Sequence, residues 1–138
     1  MVEFMQFVSQ EWILFAVFLA LATMLVMHET RSGGVALSPA QLTKLVNDSE
    51  GVIVDVRDSK EFAGGHIVDA INIPHAKIAS QISQLDKHKN KPVIVVCKFG
   101  QHAGGVGKTL KTAGFEQVSK LSGGMAEWQA AQMPVVKS

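Results

Sequence analysis

The sequence predicts an α/β domain with a central, mostly parallel sheet covered by helices on both faces, preceded by one transmembrane helix. Three observations carry that expectation. From Val35 onward, short β-branched runs alternate with stretches of helical periodicity, the pattern of βαβ units. The strongest runs, within Gly51–Arg57 and Pro92–Cys97, are unbroken Val/Ile stretches, as in strands buried on both faces. The hydrophobic fraction of 47% and mean hydropathy of +0.20 are high for a soluble chain with 18% charged residues, and the excess lies at the N-terminus.

At 138 residues the chain has room for one ordinary domain. Thirteen Lys and Arg against twelve Asp and Glu leave a net charge of +1, so no summed field favours nucleic acid. Cys97 is the one cysteine, which excludes an internal disulfide, a Cys-rich zinc site and a CxxC redox pair.

From Trp12 to Met27, sixteen residues run without a charge, Gly or Pro. That is a little short of the ~20 residues that span ~30 Å of hydrocarbon. Met5–Val8 with Ser9 and Gln10 can extend it by a turn, and Trp12 suits an interfacial anchor. A cleaved signal would want a cationic start and a small-x-small site, whereas this start holds Glu3 and no Lys or Arg. A core or interfacial amphipathic helix would show a polar stripe, and this run is apolar all round. Arg31 and Lys44 follow it, so the excess of positive charge on the inner side puts the N-terminus outside and the following domain in the cytoplasm. Residues 1–29 thus read as an anchor, 30–36 as a polar, Gly-containing linker, and 37–138 as the domain.

Within the domain, Ser38-Pro39 places an N-cap before a proline at the first helical position, with Leu42, Leu45 and Val46 on one face. The Val/Ile run of Gly51–Arg57 is the first strand of the domain. Asp58 with Glu61 three residues on reads as a capping box for a short helix ending near Gly64-Gly65. Ala70–Ile73 is a short strand stopped by Pro74, and Ile78, Ile82 and Leu85 mark a helix. Pro92–Cys97 is the most apolar strand, with Cys97 its last residue. Ala103–Ala113 reads as a helix with Leu110 inward and Gly114 as its left-handed cap. Val118–Leu121 is a final strand, after which Gly123-Gly124 turns into a helix carrying Trp128.

In open parallel sheets the reactive crevice lies beyond the carboxyl ends of the strands, which is where Cys97 sits. The following loop leads into a helix start, so backbone N–H groups and the helix dipole can favour an anion there and a thiolate over a thiol. The plainer reading is a small apolar residue closing a buried strand. Asp55 and Arg57 flank one strand residue and point to one face, as a structural ion pair holding the loops; His66 reads as satisfying loop backbone. His28, His75 and His88 are scattered without metal-ligand spacing, and no metal or cofactor is expected. Gly107-Lys108-Thr109 looks like the end of a phosphate-binding loop, but residue 102 is His where that motif needs Gly.

On these residues the sequence resembles the rhodanese-like (sulfurtransferase) domains over nearly all of 37–138. Asp55-Val56-Arg57, Glu61-Phe62, Gly65-His66-Ile67 and Ala70-Ile71-Asn72-Ile73-Pro74 are similar to the family's D-x-R-x-x-x-E-[FY]-x-x-G-H-[IV]-x-x-A-x-[NH]-[IL]-P run. Cys97, Gly100 and Ala103 match its C-x-x-G-x-x-[SA] loop. Gly123-Gly124, Trp128 and Pro134-Val135 match its closing GG-x-x-x-W…P-V. An anchor fused to one such domain looks like the bacterial membrane-anchored, YibN-type members.

The resemblance implies a rhodanese-like three-layer fold at the bacterial inner membrane. It implies that Cys97 takes a sulfane sulfur as a persulfide and passes it to a thiophilic acceptor. Lys98, Phe99, Gly100, Gln101, His102 and Ala103 would form the substrate loop, with Asp55, Arg57 and His66 as its structural support. The implied partners are a small thiosulfate-like donor, an external thiol or protein acceptor, and membrane lipid. Two departures stand out. His102 occupies a position that is often Arg, removing a permanent bidentate cation. Asp69 replaces a common Gly, harmlessly if the turn keeps an ordinary backbone. The loop is one residue shorter than that of the related phosphatases and arsenate reductases and lacks their closing Arg, which disfavours oxyanion hydrolysis. Two function classes remain: sulfur transfer through Cys97, and a catalytically weak binding module on the same fold.

Overall fold

The computed structural model describes residues 1–138, the side chains of residues 29–32 aside. The chain divides into two compact units, Met1–Arg31 and Ser32–Ser138.

The first unit is two helices, α1 (Val2–Gln10) and α2 (Trp12–Ser32). One continuous helix running through Met5–Met27 was the expectation, and the structure corrects it. Glu11 leaves helical geometry (φ −111°, ψ 28°), and the axes bend by 80° there. The polar triplet Ser9-Gln10-Glu11 interrupts the apolar run at that point. Among the described residues no single helix is long and apolar enough to cross a membrane; the bent pair Val2–Gln10 and Trp12–His28 reaches that length and composition together. Phe4, Phe7, Trp12, Phe18 and Leu25 are all more than half exposed in this unit.

In the second unit five parallel strands form one sheet in the order β1-β5-β4-β2-β3. They are β1 (Val35–Leu37), β2 (Val52–Asp55), β3 (Ile71–Asn72), β4 (Val93–Val96) and β5 (Val118–Leu121). Because successive strand side chains alternate in direction, the two apolar runs feed two cores. Val54, Val56, Val93, Val95 and Cys97 pack with Ile78, Leu85, Val106, Leu110 and Phe115 on one side. Ile53, Ile94 and Val96 pack with Leu42, Leu121, Met125 and Trp128 on the other. This is the three-layer arrangement expected, with β4 fully buried at its centre.

The helices are α3 (Pro39–Ser49), α4 (Ser59–Gly64), α5 (Ile78–Gln81), α6 (Ala103–Thr112) and α7 (Gly124–Ala130). Ser38 caps α3 as expected and does so reciprocally: Gln41 N–H donates to Ser38 Oγ and Ser38 N–H to Gln41 Oε1. Asp58 accepts from Glu61 N–H at 2.8 Å to start α4. Gly114 (φ 101°) ends α6. Phe115 N–H donates to Leu110 O and Gly114 N–H to Lys111 O, a Schellman pattern whose apolar contact joins Phe115 and Leu110 in one core.

Three expectations change. Val35 and Ala36, read as linker, belong to β1, which pairs with β5 (Val35↔Ser119, Leu37↔Leu121); the pairing, not a local apolar pattern, makes it a strand. The helix through Ile78, Ile82 and Leu85 is broken into a 3-10 turn at His75–Lys77, the single α-turn α5, and a 3-10 stretch at Ile82–His88. The intervening Ser80 and Ser83 add little helical preference, while Ile78 and Leu85 stay buried. Finally, Asp69 adopts φ 64°, so its turn does use the left-handed region that favours Gly. Asp69→Gly should therefore raise stability by about 0.5–1 kcal/mol, read as a higher midpoint in urea at unchanged slope; a lower midpoint would show that the Asp side chain holds the turn.

Candidate functional site

Parallel strands deliver their carboxyl ends to one edge of the sheet, and the loops after β2, β3 and β4 meet there. β4 ends at Val96, one residue earlier than expected, so Cys97 opens the loop. Its residue exposure is 2%, and its sulfur accepts the Gly100 N–H at 2.9 Å. Gly100 reaches that position with φ 91°, and a Cβ there would meet Gly123 N at 3.3 Å.

The start of α7 fixes the loop from the far side. Met125 N–H donates to Cys97 O at 2.8 Å and Ala126 N–H to Lys98 O at 3.0 Å, so two otherwise unpaired first-turn donors of α7 are satisfied by the loop backbone. That approach requires Gly124, where a Cβ would collide with the Cys97 carbonyl oxygen. Trp128 on α7 donates from Nε1 to Pro134 O at 2.9 Å, tying the C-terminal segment to the same helix.

β2 ends in a buried ion pair. Arg57 Nη2 lies 2.7 Å from Asp55 Oδ2, Arg57 Nε lies 3.0 Å from Asp55 Oδ1, and Nη2 also donates to Gly65 O at 2.8 Å. Asn72 Nδ2 bridges the carbonyls of Asp55 and Arg57, 3.0 Å from each. The pair, with Asn72, thus ties the β2, α4 and β3 ends together. His66 stands apart: its Nδ1 faces Phe62 O at 2.9 Å, its ring stacks on Phe62, and its backbone bridges to Val136. It holds the C-terminal segment and does not line the cleft.

Between these loops lies a cleft of about 280 Å³ lined by Cys97, Arg57, Asp58, Glu61, His75, Lys98, Gln101 and His102. Of the loop predicted to bind substrate, Lys98, Gln101 and His102 face it. Phe99 is 57% exposed outside it, with Lys98 Nζ 5.4 Å from its ring, and Ala103 is buried in the core beneath α6. His102 is the N-cap residue of α6 but makes no side-chain cap bond. Its ring stacks on His75, centroids 4.1 Å apart and planes 5° apart. Sequence reasoning passed over His75 as scattered; its place directly after the strand-ending Pro74 was the available signal, since β3 opens onto the same edge as β4. Among the described residues no group of three or more His, Cys, Asp and Glu could hold a metal. Away from the site, His88 has its pKa lowered by burial and by Lys87 and Lys91.

The sequence profile of the rhodanese-like domain family matches residues 38–131. The chain belongs to the rhodanese-like domain family. The protein YibN of Escherichia coli K12 is 36% identical over 99% of both chains. The thiosulfate sulfurtransferase GlpE of Pseudoalteromonas translucida is 34% identical over 69% of this chain and 89% of its own. The crystal structure of a rhodanese-related protein from Thermoplasma volcanium superposes with a TM-score of 0.68 at 24% identity, covering 75% of this chain and 99% of that one; it supports the fold.

In this rhodanese-like domain the Asp55–Arg57 pair is open to test by a single substitution. Arg57→Leu leaves a buried carboxylate without its cation and should cost about 3–5 kcal/mol. Denaturant titration measures it; a loss below about 1 kcal/mol would mean that the backbone N–H of residue 57 and Asn72 hold the β2 end unaided.

Proposed function

We propose that this chain is a membrane-anchored sulfurtransferase or sulfur carrier working through Cys97. The observation that carries the reading is the Cys97 sulfur, held by a loop N–H beyond the end of the central parallel strand and lining a cleft. The name of the GlpE relative supports the substrate class.

The Cys97 thiolate attacks the outer sulfur of a sulfane donor. With thiosulfate the S–S bond breaks, its electron pair leaves with sulfite, and Cys97 becomes a persulfide. An acceptor thiolate or cyanide then attacks the terminal sulfur, the second S–S bond breaks, and the Cys97 thiolate returns. No net oxidant or reductant is needed. As Cys97 is the one cysteine, the acceptor thiol comes from another molecule. Exposure of the purified protein to thiosulfate should add the mass of one sulfur atom, and none to Cys97→Ser. Unmodified wild type after full exposure would favour the second reading, a catalytically weak binding module, which draws on the buried sulfur and on His102 in place of Arg.

The anchor belongs to the same proposal. Exposed apolar side chains on all sides of α2 between Trp12 and Met27 suit lipid, which covers a helix from every direction. Arg31 and Lys44 after the run favour a cytoplasmic catalytic domain at the bacterial inner membrane, with the N-terminus outside. A C-terminal fluorescent-protein fusion should glow at the cell rim while a C-terminal alkaline phosphatase fusion stays inactive. An active phosphatase fusion would reverse the orientation, and a fluorescent fusion released in carbonate wash would remove the anchor.

A further inference from the structure

We infer that His75 and His102 act as one two-ring unit that binds the oxyanion end of the sulfur donor, so that His75 is a specificity-determining residue of the site. This rests on reading the Cys97 cleft as a sulfur-donor site. The stacked geometry, with centroids 4.1 Å apart and planes 5° apart, covers one face of each ring and leaves the ring edges, which carry every N–H, open. Among the described residues no group hydrogen-bonds to the ring nitrogens of His75 or His102, and both side chains are exposed at the cleft rim. Together they present four ring nitrogens at the rim, where an Arg side chain would present one guanidinium fork.

The unit is held by backbone rather than by chance packing. His75 follows Pro74 and opens a 3-10 turn; its N–H donates to Val56 O at 3.0 Å, and Val56 N–H donates to Val96 O at 2.8 Å. His75 is thereby tied to the strand that leads into Cys97. His102, by contrast, sits where loop becomes helix and has no cap bond to restrain its side chain. The ring of His75 supplies that restraint. The two rings with Gln101 also line an adjoining depression of about 250 Å³ that ends on Ile78, Val106 and Thr109. The stack is the wall between that depression and the cleft, and without it a small anion would lose one side of its enclosure.

Steady-state kinetics with two donors test this: thiosulfate, which has an oxyanion end, and 2-hydroxyethyl persulfide, which has none. His75→Ala should raise the KM for thiosulfate about three- to tenfold, the range of one ring stack or neutral hydrogen bond, with kcat within about twofold by the same reasoning. The KM for the persulfide should not move. His75→Phe keeps a stacking face and loses the ring nitrogens, so its thiosulfate KM should fall between wild type and His75→Ala. Adding His75→Ala to His102→Ala should change KM less than it does in the wild type, since the rings act as a unit. An unchanged thiosulfate KM in His75→Ala, an equal rise for both donors, or full additivity would overturn the inference while leaving sulfur transfer standing. If neither donor loads sulfur onto Cys97 in the wild type, the sulfurtransferase reading falls, and this inference falls with it.

Discussion

The backbone contact between the start of α7 and the loop after β4 sets the geometry on which the site depends. Met125 and Ala126 N–H groups reach the carbonyls of Cys97 and Lys98, and they can do so because Gly124 carries no side chain where the Cys97 carbonyl approaches. With its carbonyls drawn toward α7, the loop turns its Gly100 N–H toward the Cys97 sulfur. A helix more than twenty residues further along the chain therefore shapes the surroundings of the cysteine. It also explains why the closing Gly-Gly and Trp belong with the cysteine loop: Trp128 buries itself in the core beside Ile94 and Val96 and holds α7 in register with β4.

A second constraint works at right angles to the first. A parallel sheet buried on both faces offers no polar surface of its own, so polar chemistry is confined to the edge where strands end. There the buried Asp55–Arg57 pair joins three chain segments. A buried ion pair adds little net stability over a well-packed apolar alternative, but it is costly to break by halves. Its value here is geometric, because it fixes where β2 and β3 release the chain toward Glu61 and His75.

Most of this architecture was legible because local chemistry and tertiary packing agree. Ser38-Pro39 caps a helix, Gly114 ends one, and Val118–Leu121 forms a strand over the residues the sequence marks. What was not legible depends on distant partners. β1 is three residues long and exposes Val35, so it exists through its ladder with β5. The bend at Glu11 follows from one residue leaving helical geometry within a polar triplet, a break that average hydropathy smooths over. Asp69 occupies a left-handed turn that composition cannot reveal. The His75–His102 stack joins residues twenty-seven positions apart in sequence, and only the convergence of the β3 and β4 ends brings them together.

The charged groups that line the cleft are Arg57, Asp58, Glu61 and Lys98. The Arg57 guanidinium already donates to Asp55 and to Gly65 O, and Asp58 and Glu61 line the same cleft. Lys98 is the remaining permanent cation in the lining, and its ammonium lies near the exposed ring of Phe99. On the proposed reading, attraction for an anionic donor falls chiefly to backbone N–H groups and to the imidazole edges at the rim. Backbone N–H groups are directional dipoles, so they discriminate by shape and hydrogen bonding more than by long-range attraction. On the sulfur-transfer reading proposed above, His102 therefore bears on how a donor is held at the rim, while the displacement itself belongs to the Cys97 sulfur.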